Sequence, residues 1–130
     1  MSRRAEMSMY EIKIVTTFAA AHSLINYPGN CKNIHGHNWK IEVVMQSEHL
    51  DDLGMSIDFR MLKQETEGLL NALDHTFLND HSPFNTINPT AENMARWLYE
   101  ALSKRVNGPR AKVSRLSVWE NENSSASYFE

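Results

Sequence analysis

The chain holds a single cysteine, Cys31, which excludes an internal disulfide framework and fits a reducing compartment. Glycine and proline are also sparse, five and four in 130 residues, so neither a repetitive nor a low-complexity chain is encoded. No apolar run approaches the ~20 residues that a membrane-spanning helix needs. The opening stretch, Met1 to Met9, lacks the apolar core of a secretion signal. A cytoplasmic location away from membranes is therefore expected. Cationic residues are scattered and the net charge is −3, so no basic face for nucleic acid stands out. Arg3 and Arg4 are adjacent, but they lie within residues 1–8, which read as a mobile tail. One domain is expected over residues 9–130.

What is present is an ordinary folding composition, 42% hydrophobic and 22% charged. Residues 10–22 alternate as a strand, with Tyr10, Ile12, Ile14, Thr16, Phe18, Ala20 and His22 on one face. Pro28, Gly29 and Asn30 mark a loop over residues 23–34. A cleaner strand follows, placing His35, His37, Trp39, Ile41, Val43 and Met45 together and Asn38, Lys40, Glu42 and Gln46 opposite. Asp58 is positioned to cap a helix to about Leu73, with Phe59, Leu62, Thr66, Leu69, Leu70 and Leu73 as its apolar stripe. Residues 76–89 read as a loop. Thr90 caps a second helix to about Arg105, which Asn107, Gly108 and Pro109 stop. Val113–Glu120 and Ser125–Phe129 form a closing hairpin, and a short strand can fit near residues 55–57. The expected fold is α+β, a four-stranded antiparallel sheet with two helices on one face.

The histidines carry the first functional signal. In His35-Gly36-His37 two imidazoles project from the same side of a strand, about 7 Å apart at Cβ, and His22 ends the apolar face of the neighbouring strand. Three neutral imidazoles with no thiolate describe an open metal site in which water or substrate completes the tetrahedron. Zinc is the first choice, and other divalent ions suit the same ligands. Without a metal, the same rings would need hydrogen-bond partners to be buried together. His49 and His81 lie among polar residues and read as solvent-exposed.

Other groups can serve chemistry beside such an ion. Cys31, in the loop leading to His35, would have its thiol acidified there and could act as base or nucleophile; as a structural residue it would be a small buried filler. Asp74-His75 closes the first helix, where the carboxylate can fix the tautomer of a basic imidazole or the imidazole can simply meet the helix dipole. Glu120 ends an apolar face begun by Leu116 and Val118, so it either accepts paired N–H donors from a ligand or tips into solvent. Thr90 and Glu92 are most simply a helix cap and a dipole complement.

Together these segments resemble the 6-pyruvoyltetrahydropterin synthase and 6-carboxytetrahydropterin synthase family. They are Phe18-Ala19-Ala20-Ala21-His22, Cys31-Lys32-Asn33-Ile34-His35-Gly36-His37, Ile57-Asp58-Phe59, Leu73-Asp74-His75, Asn88-Pro89-Thr90-Ala91-Glu92-Asn93 and Trp119-Glu120. The resemblance implies the tunnelling fold, with sheets of several subunits joining into a barrel and trimers pairing into hexamers. It implies zinc on His22, His35 and His37, proton transfer by Cys31 with Asp74 and His75, and a pterin ring anchored by Glu120, with Thr90 close to that ring. Three residues separate Cys31 from His35, as in the bacterial 6-carboxytetrahydropterin synthases; the pyruvoyl-forming branch has a longer gap. A third branch carries Glu where this chain has Lys32. The implied reaction converts 7,8-dihydroneopterin triphosphate to 6-carboxy-5,6,7,8-tetrahydropterin, releasing acetaldehyde and triphosphate on the way to 7-deazapurines such as queuosine. A pyruvoyl-type elimination or a non-catalytic zinc- or pterin-binding protein are the alternatives.

Overall fold

The computed structural model describes residues 8–26 and 33–130. Most of the expected N-terminal tail and the loop segment holding Cys31 lie outside the described residues. Strand β1 (Tyr10–His22) runs antiparallel to β2 (His35–Ser47), paired from Tyr10–Ser47 to His22–His35. Helix α1 (Phe59–Leu70) leads to β3 (Thr76–Phe77) and a single 3-10 turn at Leu78–Asp80. Helix α2 (Ala91–Val106) precedes the hairpin of β4 (Ala111–Asn121) and β5 (Ser124–Tyr128).

The sheet has five strands in the order β3-β1-β2-β4-β5, not four. It is mixed, because β3 lies parallel to β1 through Ala20–Thr76 and Ala21–Phe77. Two residues are too few to show an alternating pattern, so β3 is hidden in what reads as loop. No strand forms at residues 55–57. Asp51 folds that segment instead, its Oδ1 accepting from the N–H groups of Leu53 (2.8 Å) and Met55 (2.9 Å).

Both helix caps form as expected. Asp58 accepts from the Arg60 N–H at 2.8 Å, and Thr90 Oγ1 from the Asn93 N–H at 3.1 Å. Helix α1 stops at Leu70, three residues before the expected end. The chain is drawn off the helical path by β1, where Ala19 donates its N–H to Asp74 and accepts one from the His75 N–H. His75 takes φ 60°, a left-handed conformation that reverses the chain there.

Ile14, Phe18 and Ala20 of β1, Trp39, Ile41, Val43 and Met45 of β2, and Leu116 and Val118 of β4 supply the buried sheet face. Leu62 and Leu70 of α1 and Met94, Leu98 and Leu102 of α2 complete the same core. Within β2 the alternation breaks once, at the register shift against β4 between Val44 and Met45, where both are buried. Tyr10, expected on the inner face, is exposed at the start of β1.

Candidate metal centre

The β1–β2 register decides which imidazoles can meet. His22 is opposite His35, and Ala20 is opposite His37, so His22 and His37 are diagonal neighbours on one face. Their rings meet edge to face with centroids 5.0 Å apart. The fully buried Trp39 forms the floor, its ring 5.0 Å from His22 and 5.1 Å from His37, and donates Nε1–H to the Ala20 carbonyl at 3.2 Å. From β4, whose pairing with β2 reaches Lys40–Trp119, comes Glu120. Its Oε1 lies 3.2 Å from Nε2 of His22 and 3.2 Å from Nε2 of His37.

His22 is buried, and its Nδ1 faces the Pro89 carbonyl at 2.9 Å. A carbonyl only accepts, so Nδ1 carries a proton, and in the neutral ring Nε2 then presents its lone pair to the site. His37 is held below its ordinary pKa, chiefly by burial and further by the neighbouring His22 and His35, against the opposing pull of Glu120. The His37 ring therefore favours the neutral form that binds a metal. Ligand atoms of His22, His37 and Glu120 all lie within 4.8 Å of one another and could hold a metal ion. Tetrahedral zinc with ligands at ~2.0–2.1 Å places neighbouring ligand atoms about 3.3 Å apart. The two histidine–carboxylate separations fit that spacing.

His35 shares the face, but its ring is exposed and its centroid is 6.3 Å from that of His37, tilted by 31°. Two imidazoles on one ion have centroids about 5 Å apart, so in this arrangement His35 lies beside the cluster formed by His22, His37 and Glu120. A second wall of the site carries Asp74 and His75. Asp74 Oδ1 accepts the Ala19 N–H at 2.9 Å and lies 3.0 Å from His75 Nδ1. The Ala19 N–H leads in holding the Asp74 carboxyl below the usual carboxylate range, and His75 adds to it. His75 is exposed and lines a cavity of about 540 Å³ together with His37, Asn38, Thr76 and Phe77. His37 also lines a cavity of about 390 Å³ with Glu120, Lys40 and Trp119. His49 is exposed, whereas His81 is half-buried beside the 3-10 turn.

Thr90 is engaged as a helix cap and follows Pro89, the residue that orients His22. Several site residues are not marked in the sequence. Asn79 makes paired bonds with the Ser23 backbone (3.0 and 2.9 Å), and Asn88 does so with Ile25 (2.7 and 3.1 Å), fastening the chain just after His22. Asn93 donates to the Asn88 carbonyl at 2.9 Å and holds the bend around Pro89. The local signal of Asn79 and Asn88 is asparagine in a loop, which by itself reads as turn chemistry, and that of Asn93 is a polar residue in the first turn of α2.

The fold is thus an α+β sheet with two imidazoles and a carboxylate gathered at one end, a cluster that could hold a metal ion, and with an Asp–His pair nearby. The chain belongs to the 6-pyruvoyl tetrahydropterin synthase family, whose model matches residues 11–130. It is similar to a 6-carboxy-5,6,7,8-tetrahydropterin synthase of Synechocystis sp., 34% identical over 119 residues covering 87% of this chain and 88% of the relative. It is similar also to a dihydroneopterin monophosphate aldolase of Pyrococcus furiosus, 36% identical over 104 residues (80% of this chain and 83% of the relative). The solved 6-pyruvoyl tetrahydropterin synthase of Caenorhabditis elegans superposes with a TM-score of 0.84 at 26% identity, covering 95% of this chain and 97% of that one. Among the described residues, no helix is long and apolar enough to cross a membrane.

Proposed function

We propose that the protein converts 7,8-dihydroneopterin triphosphate and water to 6-carboxy-5,6,7,8-tetrahydropterin, acetaldehyde and triphosphate, as a zinc-dependent cytoplasmic enzyme of 7-deazapurine (queuosine) synthesis. The carrying observation is the convergence of His22, His37 and Glu120 beside the Asp74–His75 pair, with His37 lining both cavities. Several curated relatives named 6-carboxy-5,6,7,8-tetrahydropterin synthase, 30–34% identical, support the choice of reaction, as does the three-residue gap between Cys31 and His35.

His22, His35 and His37 would hold the zinc, His35 by a small rotation of its exposed ring toward the other two. Zinc, when bound, supplies Lewis acidity that acidifies C–H and O–H bonds next to the substrate's side-chain oxygens. Glu120 accepts two N–H groups from the pterin ring and so places the side chain, rather than the ring, against the proton-transfer groups. His75 donates Nδ1–H to Asp74, which leaves Nε2 free to take up a proton and return it. Cys31 moves protons from the other side, and Thr90 borders the ring. Subunits join through their sheets into a barrel, as trimers paired into hexamers.

Mass spectrometry of the products formed by zinc-loaded protein tests the proposal. Acetaldehyde and a 6-carboxypterin are expected; a product retaining all three side-chain carbons would establish the pyruvoyl-type reaction instead. The relative named as an aldolase supports a second reading, cleavage of the monophosphate. Parallel assays on 7,8-dihydroneopterin monophosphate distinguish it, since that reading requires turnover of the monophosphate in preference to the triphosphate.

A further inference from the structure

We propose that Asn79 is a positioning residue: it fastens the wall that carries His75 to the end of β1, and so sets where that imidazole stands. The inference rests on the proposed reading of His75 as a proton-transfer group, and adds the part that keeps the group in place. His75 has a demanding backbone. Its φ of 60° is left-handed, a conformation that a residue with a side chain keeps only where its surroundings impose it. The imidazole is 80% exposed, so packing around the ring does not impose it. The edge of β1 does.

Ala19 begins the attachment, donating its N–H to Asp74 and accepting that of His75. Ala20 and Ala21 then pair with Thr76 and Phe77 of β3. That strand is only two residues long, and at Leu78 the backbone turns into the 3-10 helix, so main-chain pairing stops. Asn79 carries the ladder on with its side chain. Its Oδ1 accepts the Ser23 N–H at 3.0 Å and its Nδ2 donates to the Ser23 carbonyl at 2.9 Å. A primary amide offers the same donor and acceptor as a peptide group. The register is kept as well, since Ala20–Thr76, Ala21–Phe77 and Ser23–Asn79 are each 56 positions apart. Asn79 is thus a side-chain extension of β3. It pins at the far end a short strand that Asp74 and His75 pin at the near end. Asn88 clamps Ile25 in the same manner, but through exposed bonds and beyond the 3-10 turn, so it fastens the following loop rather than the wall.

A double-mutant cycle on the zinc-loaded protein, with 7,8-dihydroneopterin triphosphate as substrate, tests this. Asn79→Ala should lower kcat about tenfold, as misplacement of a reacting group does, while KM stays within about twofold. In a His75→Ala background the same change should cost less than about twofold, because the group it positions is already gone. Asn107→Ala removes a bond to the Val113 N–H (2.8 Å) at the opposite end of β4 from Glu120; it should lower Tm and leave kcat unaltered. Amide exchange reads the placement without turnover. In Asn79→Ala the His75 N–H should exchange about tenfold faster, while amides of the β1–β2 pairing keep their rates. An unaltered kcat, or unaltered exchange at His75, overturns the inference. So does an undiminished loss in the His75→Ala background, which would make Asn79 a general brace. Normal turnover in His75→Ala removes the reading of His75 and the inference with it. Faster exchange at His75 in a protein that turns over neither the triphosphate nor the monophosphate removes the proposed reaction and leaves Asn79 as the residue that places His75.

Discussion

The carbonyl of Pro89, 67 residues from His22 in sequence and 2.9 Å from its Nδ1 in space, turns the opposite ring nitrogen toward Glu120 and the candidate metal centre. That carbonyl is held by a bend whose fastener is the Asn93 side chain, bonded to the Asn88 carbonyl at 2.9 Å. Asn93→Ala should therefore weaken zinc binding by about tenfold without touching a ligand. Chelator competition measures it; unchanged affinity would show that Pro89 holds its place without Asn93.

His37 is a donor in its own right. His37→Ala should lose stoichiometric zinc, with affinity falling by more than about 100-fold, beyond the effect of losing an outer partner. Metal analysis of the purified variant reads this directly. Far-UV circular dichroism should stay unchanged, because His37 is only partly buried and the core beneath it is closed by Trp39.

Removing the metal should lower stability without unfolding the chain. At free zinc of 100 times its dissociation constant, binding contributes about 2.7 kcal/mol. Chelation should remove that increment, and Tm should rise again in proportion to the logarithm of added zinc. A Tm indifferent to zinc would mean that the ion does not bind the native fold.

The acid limb of stability should carry a signature of Asp74. Its folded pKa is depressed, mainly by the Ala19 N–H and then by His75. The carboxylate thus contributes stability fully above its unfolded pKa, ~3.9, and loses it as pH falls through the lower folded value. Comparing wild type with Asp74→Asn by thermal melting, the Tm difference should be constant from about pH 5 to 7 and shrink below about pH 4. A constant difference down to pH 2 would contradict this. Turnover should fall in the variant at every pH, since His75 loses the charged acceptor for Nδ1–H.

Thr90 separates into a structural role and a proposed one. Thr90→Ala should destabilise the protein by about 1 kcal/mol through loss of the cap on α2, or roughly 3–5 °C in Tm. Thr90→Ser keeps the oxygen and should restore Tm. If the residue also borders the ring, the alanine variant should show a higher KM for the pterin substrate.

Most of the scaffold is written in local pattern. The alternating faces of β1 and β2 and the caps Asp58 and Thr90 are short-range signals, and the structure follows them. The residues that escaped are those decided by tertiary contact. Helix α1 ends early because Ala19 captures Asp74 and His75, and β3 exists only because β1 offers an edge to Thr76 and Phe77. In the site, His22, His37 and Glu120 were legible as face-ending residues. The position of the His35 ring beside their cluster depends on ring orientation, and the roles of Pro89, Asn79, Asn88 and Asn93 depend on segments meeting from distant positions.

Ala20 is flanked in the sheet by Thr76 on one side and His37 on the other. Adjacent strands are ~4.8 Å apart, so the backbones of Thr76, which follows His75, and of His37 are separated by two such steps, about 10 Å. The sheet acts as a ruler graduated in hydrogen bonds. Evolution can therefore retune loops and helices around this centre, and with them its stability and choice of substrate, while the width of the gap in which chemistry happens stays the same.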